Sequence, residues 1–316
     1  MQLVRSQNSS EGRTRIAALA VPLLALALPL AVATPSSAAG TLDRIKGSSS
    51  INLGYRADAR PFAFRDDAGN AAGYSVELCQ RVADQVKSQL GLDKLTVNWT
   101  QVTLDDRFSA VAQGKVDLLC GADTATLTRR KDVSFSVPIF PSGIGAVLRA
   151  DAPLSLQEVL SQATPSRPVW RGSPARTVLN DQTFSVIQGT TAERWLNDRV
   201  ATFGLTAAVV KVDGYDAGIK GVLDGSANAF FGDRPILLDA AKRSPSGQSL
   251  VVLDRFFTHE NLALAMARDD EDFRLAVDGA LSHFFGSADF GALYAKWFGE
   301  EDDSTKAFFQ QNTLTE

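Results

Sequence analysis

Three short stretches of this chain carry side chains able to hold a charged small molecule. Gly189-Thr190-Thr191-Ala192-Glu193 follows an apolar run and opens a helical pattern. Free backbone N–H groups and the positive end of the dipole at such a helix start favour an anion such as a carboxylate. Ordinary capping, with a threonine hydroxyl closing the first turn, would use the same residues. Gly121-Ala122-Asp123-Thr124-Ala125-Thr126 follows an apolar strand ending at Cys120, and Arg129 comes just beyond it. A hydroxyl and a guanidinium meeting at a strand's carboxyl end can clamp a carboxylate through two bonds. Arg129-Arg130-Lys131 reads equally well as a solvated basic turn. Asp233 closes Ala229-Phe230-Phe231-Gly232-Asp233, where it can face a ligand or cap the next helix.

Other chemistry finds little support. The only histidines are His259 and His283, and the only cysteines Cys79 and Cys120, so no zinc or iron site can be written at ligand spacing. The chain has no GxGxxG, GxxxxGK[ST] or GxSxG, which leaves dinucleotide, P-loop and nucleophile-elbow readings without a motif. The acidic residues are scattered, and no two form an evident acid/base pair. No cofactor and no metal are expected.

The elements that must position these residues alternate along the chain. Residues 51–55 read as a strand, and 73–90 as an amphipathic helix with Val76, Leu78, Val82 and Val86 on one face. A strand at 95–102, a short helix at 104–113 stopped by Gly114, and a strand at 116–119 follow. The pattern then restarts. Strands are expected at 145–149, 184–187, 207–211 and 229–231, with helices from Thr191 and over 215–223. The tail adds a strand at 262–267 and helices at 270–285 and 288–298. Apolar strands separated by helices predict parallel sheets with crossover helices, an α/β fold. Residues 161–181, rich in Pro, Ser and Arg, read as a surface loop.

Composition bounds the class. With 32 Lys+Arg against 36 Asp+Glu, 45% hydrophobic and 22% charged residues, the chain is an ordinary globular protein. Near-neutral balance with no Lys/Arg-rich block argues against a nucleic-acid binder, and no such partner is expected. Arg5, Arg13 and Arg15 precede an apolar run over 16–32 that holds Pro22 and Pro29, followed by small residues. This is a secretory signal pattern, too short and too proline-broken for a comfortable span. Cleavage after Ala33 or Ala39 fits, the second better, and would take the net charge from −4 to −6. Both cysteines lie beyond this segment, so no lipid-modified N-terminal cysteine is expected. In an oxidising compartment Cys79 and Cys120 are expected to pair, the alternative being two buried thiols. Some 277 mature residues with two successive α/β patterns suggest two lobes.

The same residues, in order, resemble a family. Gly54-Tyr55-Arg56 leads to Pro61-Phe62 and Gly73-Tyr74-Ser75-Val76-Glu77-Leu78. Then come Arg107, Gly114-Lys115-Val116-Asp117, Cys120-Gly121 with Thr124, Thr126 and Arg129, Val133-Ser134-Phe135-Ser136, Gly189 to Glu193, the strand ending in Asp233, and Lys296-Trp297-Phe298-Gly299. From about Leu42 to Phe298 the chain resembles the solute-binding receptors of ABC transporters for polar amino acids. The resemblance implies a two-lobed periplasmic-binding-protein fold (type II), with two hinge crossings near 140–143 and 255–260 and ligand in the interlobe cleft. Residues 1–39 would be the signal peptide, 40–141 with 257–316 the first lobe, and 142–256 the second. Arg129 and Thr124 would hold the ligand's α-carboxylate from the first lobe, Thr191 would add to it from the second, and Asp233 would pair with the α-ammonium. Arg56 and Arg107 resemble the side-chain contacts of glutamate/aspartate receptors, with Tyr215 where those carry a histidine.

A monomeric periplasmic receptor for a polar, acidic L-amino acid (Glu, Asp, Gln or Asn), serving an inner-membrane permease, is the resulting expectation. The sequence departs from the acidic-ligand pattern at Leu104, Ala122, Asp123 and Tyr215, and a broader polar amino acid receptor fits as well. Two rivals come with the resemblance. One is an enzyme of the prephenate or cyclohexadienyl dehydratase kind, which would need Asp123 as a proton donor in the pocket. The other is a ligand-sensing receptor domain, which would be expected to continue into a membrane span; here a polar tail ends the chain.

Overall fold

The computed structural model describes residues 40–161 and 174–315. The expected signal segment with its two expected cut sites, and 162–173 of the expected surface loop, lie outside the described residues.

The chain begins with helix α1 (Thr41–Ser48), strand β1 (Ser50–Arg56), and three short strands, β2 (Asp58–Ala59), β3 (Ala63–Arg65) and β4 (Ala71–Ala72), that form a small sheet of their own. Helix α2 (Tyr74–Gln89), β5 (Thr96–Val102), α3 (Arg107–Ala112), β6 (Leu118–Thr124) and β7 (Ser134–Ser142) follow. The next stretch contains β8 (Ile144–Arg149), α4 (Leu154–Ser161), α5 (Pro174–Leu179), β9 (Thr183–Ile187) and α6 (Thr191–Phe203). It continues through β10 (Ala208–Val212), α7 (Tyr215–Leu223), β11 (Ala229–Asp233), α8 (Arg234–Arg243) and β12 (Leu250–Val252). Last come β13 (Glu260–Met266), α9 (Glu271–Phe285), α10 (Ala288–Phe298) and α11 (Asp303–Asn312).

Two five-stranded sheets result, ordered β5-β1-β6-β13-β7 and β10-β9-β11-β8-β12. The expectation of parallel sheets holds for β5, β1 and β6 in the first and for β10, β9 and β11 in the second. It fails for β13, antiparallel to β6 and β7, and for β8, antiparallel to β11 and β12. The reason is the chain path. Strands β8 and β13 are each entered straight from the other sheet, at the edge where parallel strands end, so they must run back. This brings the carboxyl ends of β1, β5, β6 and β7 and the start of β13 to one edge. That edge faces the equivalent edge of the second sheet, because Ser142 is separated from Ile144 only by Gly143.

Other boundaries also shift. The strand expected at 116–119 runs instead from Leu118 to Thr124, all of it buried. The expected helix at 104–113 starts only at Arg107, because Thr103 and Asp106 close a turn on each other first. Part of the expected loop, Pro174–Leu179, is helical: Pro174 occupies the first turn, where its missing N–H costs nothing. The polar tail holds α11, whose Asp302 accepts from the Thr305 N–H as N-cap while Phe309 is buried.

Helix α2 buries Tyr74, Leu78, Val82 and Val86, at four-residue spacing, against the first sheet. Glu77 on its outer side accepts from Lys296 Nζ at 2.8 Å and Trp297 Nε1 at 3.0 Å, tying α10 to α2. Cys79 of α2 is bonded to Cys120 of β6, as the compartment argument expected. Among the described residues no helix is long and apolar enough to cross a membrane.

The disulfide closes a loop between positions 41 apart. Replacing both cysteines by alanine should therefore lower the unfolding free energy by about 2–4 kcal/mol, with a matching fall in the urea midpoint. An unchanged midpoint would show that the link constrains nothing.

Candidate functional site

The crossings between the sheets are packed against each other. The Ile144 N–H donates to Thr258 Oγ1 at 3.0 Å, and the Phe257 N–H to the Ile144 carbonyl at 2.7 Å. A Cβ on Gly143 would lie 1.9 Å from the Thr258 carbonyl oxygen, so only glycine fits there. This contact sets the two sheet edges face to face, and the residues singled out from sequence gather between them.

At the start of α6, Thr190 does the capping: its hydroxyl oxygen accepts from the Glu193 N–H at 3.3 Å. Glu193 in turn accepts from the Gly189 N–H at 2.7 Å, a variant of the capping box. That leaves Thr191 free to turn inward. The capping reading and the ligand reading thus belong to neighbouring threonines. Asp233 precedes α8 but makes no side-chain cap bond. Its carboxylate instead accepts from Ser142 Oγ at 3.4 Å and from Tyr215 Oη at 3.2 Å. Arg129 leaves its exposed neighbours Arg130 and Lys131 and folds back, Nη1 donating to the Thr124 carbonyl at 2.9 Å.

Between these groups stands Glu260, the first residue of β13. Its Oε2 accepts from Thr124 Oγ1 and from Thr191 Oγ1, each at 2.8 Å, and its Oε1 from Thr258 Oγ1 at 2.9 Å. One carboxylate oxygen therefore receives a hydroxyl from each side of the cleft. Sequence reasoning placed Glu260 only at the limit of a crossing. A lone glutamate before an apolar strand carries no motif that would have set it apart.

The remaining expected residues lie further along the same edge. Arg56, 5% exposed, is no solvated loop residue: Nε and Nη2 hold Asp58 in a two-bond pair at 3.0 and 2.8 Å. Arg107, also 5% exposed, donates from Nε to Asp123 Oδ1 at 2.6 Å and from Nη1 to the Leu104 carbonyl. Asp123 is 1% exposed, and its Oδ2 has no hydrogen-bond partner among the described residues. Leu104 reaches across to Gly189, whose Cβ position lies 4.0 Å from Leu104 Cδ2. A cavity of about 390 Å³ runs beside them, lined by Asp58, Leu104, Gln188 and Val212 among others.

Burial shapes the charges. It pushes the Tyr215 hydroxyl well above its ordinary value, with the Asp233 charge adding to the effect. It pulls the Arg129 guanidinium down, against the opposing pull of Asp123. Burial also works against the Arg56 charge, but Asp58 outweighs it and Arg56 is held above its ordinary value. Asp233 is lifted to about 6, by burial first and by the nearby Glu260 charge second, while the Tyr215 hydrogen bond opposes the rise.

An acid whose value is raised on folding is disfavoured in its charged form, so stability is lost as pH rises from about 4 to about 6. Asp233→Asn keeps the shape without the charge. It should stabilise the protein by about 1–3 kcal/mol at pH 7.5, with the gain fading by pH 4. Urea midpoints at the two pH values check this, and a gain independent of pH would remove burial of the charge as its source.

The chain matches the family described as bacterial extracellular solute-binding proteins, family 3, over residues 51–300. It is 28% identical to an L-glutamate/L-aspartate-binding protein of Pseudomonas aeruginosa, over 82% of this chain and 80% of that one. An L-cystine-binding protein of Escherichia coli is 24% identical over 88% of this chain and 94% of its own. Among solved structures, the ancestral amino acid-binding protein AncCDT-1, a precursor of cyclohexadienyl dehydratase, aligns with a TM-score of 0.66 at 25% identity, covering 82% of this chain and all of that one. The L-cysteine solute receptor of Neisseria gonorrhoeae aligns with a TM-score of 0.65 at 25% identity, over 82% of this chain and 94% of its own. With most of its length matched and the two-sheet, two-crossing architecture in place, the chain belongs to the bacterial extracellular solute-binding proteins of family 3.

Proposed function

We propose that this protein is an extracytoplasmic receptor that captures a polar L-α-amino acid and delivers it to an ABC transporter permease. One observation carries the reading. In a cleft where Arg56 and Arg107 each have a carboxylate partner, neither Arg129 nor Asp233 makes a direct ion pair among the described residues, although each lies within the other's field. A positive and a negative group left over in one cleft are the complement of a zwitterion.

In this reading residues 40–141 with 257–316 form one lobe and 142–256 the other, and the two close on the ligand by bending at the crossings. Arg129 takes the α-carboxylate, with the hydroxyls of Thr124 and Thr191 approaching from opposite sides. The ligand's carboxylate then competes with Glu260 for those hydroxyls. Asp233 takes the α-ammonium, and Tyr215 keeps its carboxylate oriented. Arg56 and Arg107 face the side chain. Exclusion of water on closure strengthens each pair. An export signal over 1–39 and a periplasmic location belong to the same proposal, as does a monomeric state. A dehydratase would need a free acid in the pocket, and its one candidate, Asp123, instead accepts a hydrogen bond from Arg107.

Calorimetric titration of the purified protein with the twenty L-amino acids tests the proposal, and failure of all of them to bind would reject it. Arg129→Ala or Asp233→Ala should each weaken the best ligand by about 2–5 kcal/mol, because each leaves a buried ligand charge unpaired. Wild-type affinity in both would move the site elsewhere. Asp233 must be ionised to hold an ammonium group. Affinity should therefore fall as pH drops below about 6, approaching tenfold per unit, and Asp233→Asn should lack this dependence.

A further inference from the structure

The charges at the far end of the cleft lead beyond a polar amino acid in general. Two buried arginines there would suit an acidic side chain if they were free. Neither is. Arg56 spends Nε and Nη2 on Asp58, and Arg107 spends Nε on Asp123 and Nη1 on the Leu104 carbonyl. The Arg107–Asp123 pair is the more deeply buried, its side chains 6% and 1% exposed. A charge pair so far from water keeps its partners. Asp123 also lies within the field of Arg56 and of Arg129, so one carboxylate serves three guanidinium groups. Counted together, three arginines face four carboxylates in the cleft: Asp58, Asp123, Asp233 and Glu260. A zwitterion brings one carboxylate and one ammonium and leaves that balance unchanged, whereas an acidic amino acid adds one net negative charge to it.

We propose that Asp123 and Asp58 withdraw the charge of Arg107 and Arg56 from the ligand, so that the site selects L-amino acids with an uncharged polar side chain, carboxamides foremost, over acidic ones. The inference rests on the amino acid receptor reading above. Arg56 Nη1 and Arg107 Nη2 make no hydrogen bond to protein among the described residues. They offer donors to a neutral acceptor oxygen, which suits the carbonyl of an amide. A second carboxylate would have to share cations that already have one, at a cost in unscreened repulsion. Asp123 acts through Arg107 and is a positioning residue, so its signature is the ranking of ligands rather than binding as such.

The test is the affinity ratio of glutamine to glutamate, and of asparagine to aspartate, measured by calorimetry at pH 7.5. The wild-type protein should favour the amide at least tenfold. Asp123→Asn frees Arg107 and should shift the ratio at least tenfold toward the acid, whereas Asp123→Glu should keep the wild-type order. Asp58→Asn, at a half-exposed position, should move the ratio in the same direction through Arg56 and stands in if Asp123→Asn does not fold. A wild-type preference for glutamate or aspartate would overturn the inference and leave the amino acid receptor intact. Ratios unchanged in folded Asp123→Asn and Asp58→Asn would overturn it as well. Absence of binding by any amino acid would reject both readings together.

Discussion

The architecture depends on one close approach, that of Gly143 to Thr258. At this point the chain leaves the first sheet within a single residue and returns beside its own exit. No side chain larger than hydrogen fits between the two passes. Everything in the cleft follows from that constraint. Strand β7 ends and β8 begins on the two sides of Gly143, and β13 begins two residues after Thr258. The carboxyl ends of the parallel strands in each sheet are thereby turned toward each other, and those ends carry Thr124, Asp233 and the turns before Arg129 and Thr191. Side chains more than 60 residues apart in the chain, such as Thr191 and Glu260, come within hydrogen-bond reach without any direct pairing of the two sheets.

Electrostatics then divides the cleft into two halves with different tasks. Where the zwitterion would lie in the proposed receptor, two charges lack a direct ion pair among the described residues: Arg129 on one side and Asp233 on the other. Further along, each arginine is supplied with its own carboxylate. Single buried charges are costly, and the upward shift of Asp233 records that cost. In the proposed receptor the fold carries this penalty where a zwitterionic ligand would relieve it, and pairs charge further along the cleft. On the proposed roles, stability and recognition are opposed at Asp233 and aligned at Asp123.

Much of this was legible in the sequence. Helix α2 follows from its apolar face, the other long helices were expected near where they lie, and Thr191, Arg129 and Asp233 are placed by the strands that end before them. The antiparallel strands were not legible, because direction depends on the path between sheets and leaves no mark in a run of apolar residues. Arg107 illustrates the limit at the site. Its identity marks it as a candidate contact, yet its charge is set by Asp123, sixteen residues away on another element. Glu260 escaped notice for the same reason: its meaning comes from Thr258 beside it and from two threonines, Thr124 and Thr191, drawn from distant segments. A residue type announces a capacity, and only its neighbours decide whether that capacity is spent.

Glu260 has a further consequence. Two hydroxyls that a ligand would use are both satisfied, through a single oxygen, by a residue belonging to the chain crossing itself. Neither Thr124 nor Thr191 need face a dry void when no cargo is present, and each bond of this kind contributes only about 1 kcal/mol. Glu260 behaves as a placeholder, holding the seat in the geometry a carboxylate would adopt. Closing the two sheet edges together thus leaves neither hydroxyl orphaned. In the proposed receptor, what a ligand would add lies at Arg129 and Asp233, the two groups of the cleft that make no direct ion pair among the described residues.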